Sequence, residues 1–443
     1  MQKMWIIWLC VCFVCFLSEA CQTQHIQQHI QKAIDRDLLG LIIEHGITKI
    51  SPYDLNPLQE NMGIYAAHDV WPSFPIKQEQ AYYNQRFTTD INGIPVMLRD
   101  EGPTYHPLNI ALNGIYDINS YLENIHDQDR MKHLERARKI ADFIINNNSA
   151  IINDSLMLRY QIHHKHYENS WSSGISQGVA LGFFSQLYQI TGDRRYLDTA
   201  HMIFRSFLLF NETPYLTNDW ISYVDDEGYY WIEEYPRNVP DHVLNGFQYA
   251  VLGLHKYWML THNTVCEFLI KASLATISKY ALDYRNDGWI SSKRLRNNNG
   301  EREKYLSMVY KYHLQHIILF RQLYLISGDP SFKNAADLFE SDRMIFDQIK
   351  EDTGTLMVTI FPKEAINQGA AWRRANTSKL TSAMDQPNPK QWYGSGSTES
   401  YIVPGIYKVQ FKPIGHAWKR PENINVNIIS HQKVKISAKY ISR

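Results

Sequence analysis

One segment of this chain occurs twice, and the repeat constrains the fold more than any other feature. The copies read QLYQITGDRRYLDTAHMIF, from Gln186, and QLYLISGDPSFKNAADLF, from Gln322. In each copy a glycine follows an apolar helical pattern and an aspartate follows the glycine, which predicts one helix end and one helix start. Because a helical pair cannot bury both of its faces alone, such pairs stack on one another. The repeat therefore predicts a mainly helical protein built from stacked helical pairs.

Further helical pairs are predicted by apolar residues that recur at helical spacing through the middle of the chain. Segments such as MKHLERARKIADFII and CEFLIKASLATISKYAL show this pattern. Four pairs can be drawn, near residues 107–146, 177–208, 242–281 and 312–344. Four to six pairs that close on themselves form an α/α toroid with a cleft at one end. We therefore predict a mainly α fold, an α/α toroid of four helical hairpins.

The two regions that flank the helical segment have a different pattern. Residues 21–105 combine prolines, glycines and short alternating runs, which predict loops, short strands and a hairpin. Residues 357–443 contain alternating runs such as GIYKVQFKP and KVKISAKYI, which predict a small C-terminal β domain. The predicted order is thus a leader (1–20), an N-terminal extension (21–105), the helical domain (106–356) and a β appendage (357–443).

The first twenty residues have the pattern of an export signal. Lys3 precedes an apolar run that ends at Leu17, and Ser18-Glu19-Ala20 fits a cleavage site. The apolar run is shorter than the roughly 20 residues of a membrane-spanning helix. We expect a cleaved signal peptide and a location in the secretory pathway, which means the periplasm, the Golgi lumen or the extracellular space. A retained anchor and a lipid-modified Cys21 are the alternatives.

The charge balance and the cysteines argue against two classes of protein. The chain has 45 Lys and Arg and 45 Asp and Glu residues, so no global positive field favours nucleic acid, and we expect no nucleic-acid partner. Three of the five cysteines lie in the leader, which excludes a disulfide framework. A local basic group between Lys293 and Lys304 stays open as an anion site or a solvated loop.

An acidic and aromatic segment, WIEEYP, runs directly into the apolar run VLNGFQYAVLGLHKY. The chain contains 28 tyrosines and 11 tryptophans. Aromatic faces stack on sugar rings, so a helical cleft lined with them suits carbohydrates, although most of these side chains are expected to pack between helices. The aromatic content therefore suits a carbohydrate-binding cleft in the helical domain.

Four sequence blocks, in the same order, resemble the D-glucuronyl C5-epimerases of heparin and heparan sulfate biosynthesis. Besides WIEEYP with VLNGFQY, the blocks are GPTYHPLNIALNGIYDINSY, WSSGISQGVAL and YKYHLQHIILFRQLY. The resemblance extends from about residue 94 to residue 342. It implies an isomerase that removes the C5 proton of glucuronic acid in a heparosan-like or heparan-like polysaccharide. Return of a proton to the opposite face of the sugar then gives iduronic acid.

The resemblance also implies which residues carry this chemistry. The catalytic Glu-Tyr pair of the family falls on Glu234 and Tyr235, and the tyrosine of its Tyr-His block falls on Tyr312. Glutamate is mostly ionised and tyrosine mostly protonated at neutral pH. Glu234 and Tyr312 are therefore the predicted proton-transfer groups, with Tyr235 as an acid or oxyanion donor. For Glu234 a helix-capping role is the alternative, and Glu233 is expected to be structural. The residues expected to bind substrate are Arg294, Tyr105, Trp171, Gln177, Asn245 and His313.

The sequence departs from the family pattern at one position. The family has a tyrosine three residues before an arginine, whereas here Ser291 stands at the tyrosine position and Arg294 at the arginine position. Arg294 can still bind a uronate carboxylate through its forked guanidinium group. Tyr284 and Trp289 lie nearby in the sequence, and whether either replaces the missing tyrosine is open.

Cofactors and partners follow from the same resemblance. The proton chemistry of the family requires no cofactor, and animal members contain structural calcium whose ligand motif is not visible here. His163, His164, His166 and Glu168 suggest a metal site, but adjacent histidines in an extended segment point to opposite sides. We expect no catalytic metal and an anionic uronic-acid polysaccharide as substrate. Structural calcium and a homodimer stay open.

Three other functions are compatible with the sequence. A polysaccharide lyase removes the same C5 proton and then expels the C4 oxygen. A glycoside hydrolase needs two opposed carboxylates, such as Glu234 with Asp241 or Asp287. A glycan-binding protein with an inactive site would explain the missing tyrosine.

The substitution Tyr312→Phe is expected to abolish exchange of the C5 hydrogen with solvent. It removes only a hydroxyl group, so the fold and the binding of polymer should be retained. Deuterium incorporation and polymer affinity of the variant measure the two effects, and wild-type turnover would place the proton-transfer group elsewhere.

Overall fold

The computed structural model describes residues 40, 44–50, 52–53, 58–59, 87–99, 102–123, 129–160, 170–211, 219–296, 309–375 and 392–443. The predicted signal peptide, Cys21 and the HHKHYE segment lie outside these residues. The chain forms two compact units. The first comprises residues 1–279 and 322–329, and the second comprises residues 280–321 and 330–443.

Helices occur in pairs along the described chain, and about half of the structure is helical. The first three pairs are α1 (Pro107–Glu123) with α2 (Arg130–Asn147), α3 (Gly174–Thr191) with α4 (Arg194–Arg205), and α5 (Leu244–Thr261) with α6 (Thr264–Tyr280). The fourth pair is α7 (Tyr310–Ser327) with α8 (Pro330–Ile349). Helices are therefore present at each of the four places where a helical pair was predicted. Within the described residues, no helix combines the length and the apolar character that crossing a bilayer requires.

Short antiparallel strands accompany the helices of the first unit. A three-stranded sheet is formed by β1 (Phe87–Thr89), β2 (Pro95–Arg99) and β3 (Gly102–Thr104). Two hairpins are formed by β4 (Ser149–Ile152) with β5 (Ser155–Leu158), and by β6 (Ser222–Val224) with β7 (Tyr230–Ile232). The second hairpin leads directly into the WIEEYP segment.

The C-terminal part of the second unit contains two three-stranded sheets that enclose one core, and a two-stranded sheet. Its elements are β8 (Gly354–Phe361), the short helix α9 (Lys363–Asn367), β9 (Trp372–Ala375), β10 (Thr398–Ile402), β11 (Gly405–Phe411), β12 (Trp418–Lys419), β13 (Ile424–Ile428), β14 (Lys433–Lys439) and β15 (Ile441–Ser442). One three-stranded sheet has the order β10-β8-β14 and the other β13-β11-β9, and β12 pairs with β15. Both three-stranded sheets contribute side chains to the same apolar cluster, among them Val358 and Val409. The tail therefore contains strands, as its alternating pattern predicts.

The repeated segment forms the same turn in both of its copies. Gly192 and Gly328 adopt φ values of +67° and +68° and donate their N–H groups to the carbonyl oxygens four residues earlier, at 2.8 and 2.7 Å. The hydroxyl of the residue before each glycine, Thr191 or Ser327, accepts a hydrogen bond from the following aspartate N–H. Glycine is favoured at this position because a positive φ would strain a residue that has a side chain.

A third copy of this turn connects α5 to α6. His262 has φ +48°, and its N–H donates to the carbonyl of Trp258 at 2.7 Å. The Thr261 hydroxyl accepts a hydrogen bond from the N–H of Asn263 at 3.3 Å. Thr-His-Asn thus takes the place of Thr-Gly-Asp, and the sequence repeat is hidden because histidine replaces the glycine.

Helices α3 and α5 approach so closely that only small residues fit between them. A Cβ atom built on Gly253 would lie 1.9 Å from the carbonyl oxygen of Gly178, and one built on Gly178 would lie 2.4 Å from Cα of Ala250. Both obstacles are backbone atoms, so neither helix can accept a larger residue without moving. This contact fixes the second turn of α3 against the middle of α5.

The substitution Gly178→Ala is expected to destabilise the protein by about 1–3 kcal/mol, since the added methyl group overpacks the helix contact. Gly182→Ala in the same helix is the matched control, because its Cβ would meet Gly253 at an ordinary 3.7 Å. The control should be neutral or gain up to about 1 kcal/mol from helix propensity. Denaturant unfolding of both variants measures the difference, and equal stabilities would contradict the close approach.

Candidate active site

Glu233 is a buried structural residue that holds three elements of the first unit together. Its carboxylate accepts hydrogen bonds from Nδ1 and the N–H of His242, at 2.6 and 3.3 Å. Its N–H donates to Ile221 and its carbonyl accepts from Gly174, the first residue of α3. The Glu233 side chain is inaccessible to solvent and that of His242 is 2% exposed. These contacts agree with the structural role expected for Glu233.

Glu234 lies against the first turn of helix α5. Its carbonyl accepts a hydrogen bond of 2.6 Å from the Ser173 hydroxyl. Its carboxylate lies against Gly246, where an added Cβ would come within 2.6 Å of Oε2. The helix N-terminus favours a negative charge at this place. Both the catalytic role and the capping role predicted for Glu234 fit this position.

A cluster of aromatic rings includes Tyr235, the residue that follows Glu234. Trp171 stacks on Tyr160, with ring centroids 4.2 Å apart, and Tyr235 lies 5.7 Å from Trp171. The imidazole of His106 meets the Tyr160 ring edge-on at 4.9 Å. The Tyr160 hydroxyl is hydrogen-bonded to Ser176, so this ring is held firmly. The aromatic cluster therefore joins Tyr235 to a rigid stacked pair.

An ion pair lies close to Tyr235. The Arg237 guanidinium lies 5.1 Å from the centre of the Tyr235 ring. Nη1 of Arg237 donates to Oδ2 of Asp241 at 3.2 Å, and the Asp241 side chain is 2% exposed. Asp241 is thus buried and bound to an arginine within the protein. The half-buried Tyr235 therefore has both a tryptophan and an arginine as neighbours.

Two of the other predicted residues have internal roles in the first unit. The amide of Gln177 is fully buried and bonds to the N–H of Leu158, the carbonyl of Leu156 and the Ser206 hydroxyl. Tyr105 donates to Asp90, which raises the pKa of the tyrosine, and attaches the β1–β2 turn. Contact of either residue with substrate stays a prediction.

His106 contacts the aromatic cluster that includes Tyr235, and Asn245 lies in the helical turn that Glu234 meets. Tyr105 and Gln177 make the internal contacts described above. Sequence reasoning missed His106, although it directly follows Tyr105 in the block GPTYHP, and the structure places it against the aromatic cluster. Asn245 is the second residue of α5 and is 4% exposed, in the same helical turn as Gly246. Its predicted role as a substrate ligand stays a prediction.

Tyr312 lies near the start of helix α7, in the second unit, and has two cationic neighbours. The ammonium groups of Lys293 and Lys311 lie 4.7 and 5.1 Å from the centre of its ring. Tyr312 is half-buried. Sequence reasoning grouped Lys293 with a basic segment but did not connect either lysine with Tyr312. Two positive charges beside this tyrosine are suited to attract a carboxylate.

Ser291 is a core residue that joins two buried histidines of α7. Its N–H donates to Nδ1 of His313 at 3.0 Å, and its hydroxyl is bonded to Nδ1 of His316 at 2.7 Å. Nε2 of His313 donates to the carbonyl of Phe339 at 2.9 Å. Burial lowers the pKa of His313 to about 4, so this ring is neutral at pH 7. Both ring nitrogens of His313 are engaged within the protein, and a contact with substrate stays a prediction.

The remaining predicted residues of the second unit differ in exposure. Arg294 is half-buried. Tyr284 and Trp289 are the two aromatic residues near the position of the missing tyrosine. Their side chains are only 1% and 3% exposed. Trp289 packs edge-on against Phe346. Both rings thus contribute to the core of the second unit.

Metal ligands are not clustered in the part of the chain that the structure describes. No group of three or more His, Cys, Asp or Glu side chains there has an arrangement that could hold a metal ion. The HHKHYE histidines lie outside this part, so the metal-site alternative for them stays a prediction.

The two units, each taken by itself, contain kinds of group that abstraction of a proton next to a carboxylate requires. Glu234 is a carboxylate suited to act as a base, and Tyr235 and Tyr312 carry phenol groups suited to donate a proton. The lysines beside Tyr312 can neutralise a uronate carboxylate, which makes its neighbouring C–H bond more acidic. Aromatic faces like that of Tyr235 can contact a sugar ring.

Comparison with known proteins shows a family to which the region containing these groups is similar. Residues 150–341 match the family described as D-glucuronyl C5-epimerase C-terminus. This match supports the resemblance seen in the sequence blocks. A carbohydrate epimerase-type function is supported for this region, and the matched residues include Glu234, Tyr235 and Tyr312.

The individual relatives are distant. An uncharacterized protein of Methanocaldococcus jannaschii is 25% identical over 177 residues, which cover 38% of this chain and 57% of that protein. A cellobiose 2-epimerase from Bacillus thermoamylovorans is 13% identical, with a TM-score of 0.43 over 70% of this chain and 80% of that chain. A family 76 glycoside hydrolase from Bacteroides thetaiotaomicron is 14% identical, with a TM-score of 0.37 over 69% and 84% of the two chains. TM-scores below 0.5 do not establish a shared fold.

Replacing each of the two adjacent glutamates by glutamine should separate their roles. Glu234→Gln removes a base and should lower turnover by about 10² to 10⁴-fold, while the stability changes by at most about 1 kcal/mol. Glu233→Gln weakens a buried pair and should cost about 1–3 kcal/mol of stability, with turnover of the folded protein retained.

The two glutamine variants are compared by C5 deuterium exchange and by unfolding in denaturant. Loss of exchange at position 233 but not at 234 would reverse the assignment. Full exchange in both variants would mean that this acidic pair does not carry the chemistry.

Proposed function

We propose that this protein is a polysaccharide D-glucuronyl C5-epimerase that converts glucuronic acid to iduronic acid in a heparosan-like or heparan-like polymer. The observation that carries the proposal is the family match over residues 150–341, which contains the Glu-Tyr pair and the Tyr-His block. The different environments of two adjacent glutamates also support it. Glu233 is buried in a pair with His242, whereas Glu234 lies against the first turn of α5. The four helical pairs are proposed to be the repeats of an α/α toroid.

The proposed reaction assigns roles that the family resemblance implies. Glu234 takes the C5 proton or returns it, and Tyr312 acts on the opposite face of the sugar. Tyr235 donates a hydrogen bond to the enolate oxygen that develops in the intermediate. Arg294 and the lysines beside Tyr312 bind the uronate carboxylate. No cofactor takes part in these steps.

Incubation of heparosan with the protein in D₂O tests the reaction. We expect deuterium at C5 of the uronic acid and the appearance of iduronic acid, without a rise in the absorbance of unsaturated uronates. A rise in that absorbance would identify a lyase, since expulsion of the C4 oxygen creates the double bond. Polymer binding without exchange or cleavage would identify a glycan-binding protein.

The acceptor polymer is tested by comparing N-acetylated and N-sulfated forms under the same conditions. The form with the larger kcat/KM for exchange is the preferred substrate. The protein from its native source, tested for N-terminal processing, also shows whether the leader is cleaved in the secretory pathway.

A further inference from the structure

The C-terminal β region is strongly cationic, although the whole chain has no net charge. Its described residues, 354–375 and 392–443, contain eleven Lys and Arg residues but only three glutamates and no aspartate. One of the three, Glu399, is bound by the buried Arg374 at 2.9 Å. The region therefore has an excess of eight positive charges, whereas the chain as a whole has a net charge of zero.

Three of these charges form a row on one face of a sheet. On β14, Lys433, Lys435 and Lys439 are exposed, whereas Ala438 is buried, as expected for a strand with one face in the core. We call these three residues the lysine row. The intervening Val434 and Ile436 pack against the core, so the row lies on the outer face.

The surface beside the lysine row carries no acidic group on the adjacent strand. Lys435 is paired with Met357 of β8 and Lys439 with Phe361, both on the outer face of that strand. Phe361 is 50% exposed. None of the three lysines makes an ion pair among the described residues. The row therefore presents uncompensated positive charge next to an exposed aromatic ring.

The geometry of the row suits an extended polymer better than a small anion. Residues two apart on a strand are separated by about 7 Å, so the row spans about 20 Å. A small anion would contact one lysine at a time, and an isolated exposed pair contributes little. A linear chain with regularly repeated carboxylates could contact all three lysines and place a sugar ring on Phe361.

We propose that the outer face of the β10-β8-β14 sheet, centred on the lysine row, binds a linear anionic polysaccharide. The existence of a polyanion site follows from the charge and the exposure of the row, whereas the choice of polysaccharide rests on the proposed function. Such a surface keeps a long polymer attached to the protein during repeated turnover. It consists of residues that the proposed proton transfer does not use.

The full-length variant Lys433→Gln/Lys435→Gln/Lys439→Gln tests the proposal. The matched control is Lys408→Gln/Lys412→Gln/Lys419→Gln, which removes the same charge from three other exposed lysines of the β region. The lysine-row variant should bind long heparosan about tenfold more weakly than the wild type at physiological salt. The control variant should lose much less affinity, and unfolding midpoints verify that both variants are folded.

A second measurement uses substrate length. The kcat/KM for C5 exchange on the long polymer should fall about tenfold in the lysine-row variant, while exchange on a tetrasaccharide should stay at the wild-type value. Binding is measured without turnover, so a protein that shows no exchange but loses polymer affinity in this variant would support the surface and refute the proposed function. Normal exchange with unchanged affinity for the long polymer would refute the surface alone.

Three further outcomes would also overturn the proposal. If both triple variants lose affinity equally, the β region is a general anion attractor without a defined face. If the lysine-row variant loses binding of DNA but not of heparosan, the occupant is a nucleic acid. If it retains heparosan affinity but self-associates, the lysines protect the edge strand β14 from pairing with other chains.

Discussion

The buried pair of Glu233 and His242 is the interaction on which the proposed site depends. It joins the residue after β7 to His242, two residues before the start of α5, and the backbone of Glu233 also reaches the start of α3. Removing a buried carboxylate from water is costly, and the two hydrogen bonds from His242 offset that cost. His242 adopts a left-handed φ of +53°, a strain that the pair and the stacking of its ring on Trp231 help to offset. The strand ending at Glu233 therefore enters α5 in one defined way.

The residue after this pair, Glu234, places its carboxylate close to the start of α5. The carboxylate meets the first turn of the helix at Gly246, which has no side chain to exclude it. Gly178 and Gly253 hold α3 and α5 together one or two turns further on. Small residues thus serve both the helix packing and the access of a carboxylate to a helix N-terminus.

The helices were predictable from sequence because they leave local signals. Apolar residues recur at helical spacing, and the Thr/Ser-Gly-Asp turn has a fixed chemical pattern. The third turn was not predictable, since His262 hides it behind a residue that rarely adopts positive φ. The contacts of His106 with Tyr160, and of Lys293 with Tyr312, depend on tertiary packing that no local pattern encodes. The burial of Glu233 agrees with the structural role expected for it, whereas the catalytic role of Glu234 stays a prediction.

Ser291 shows how the departure from the family pattern limits the chemistry. At 1% exposure its hydroxyl binds His316 and its N–H binds His313, so this position belongs to the core of the second unit. A tyrosine ring at this place would have to displace both histidines. Tyr284 and Trp289 are also buried and offer no exposed replacement. Among the residues that the resemblance implicates in proton transfer, the half-buried Tyr235 and Tyr312 keep access to solvent. The proposed epimerisation therefore relies on Glu234, Tyr235 and Tyr312, since Ser291 has no phenol group to contribute.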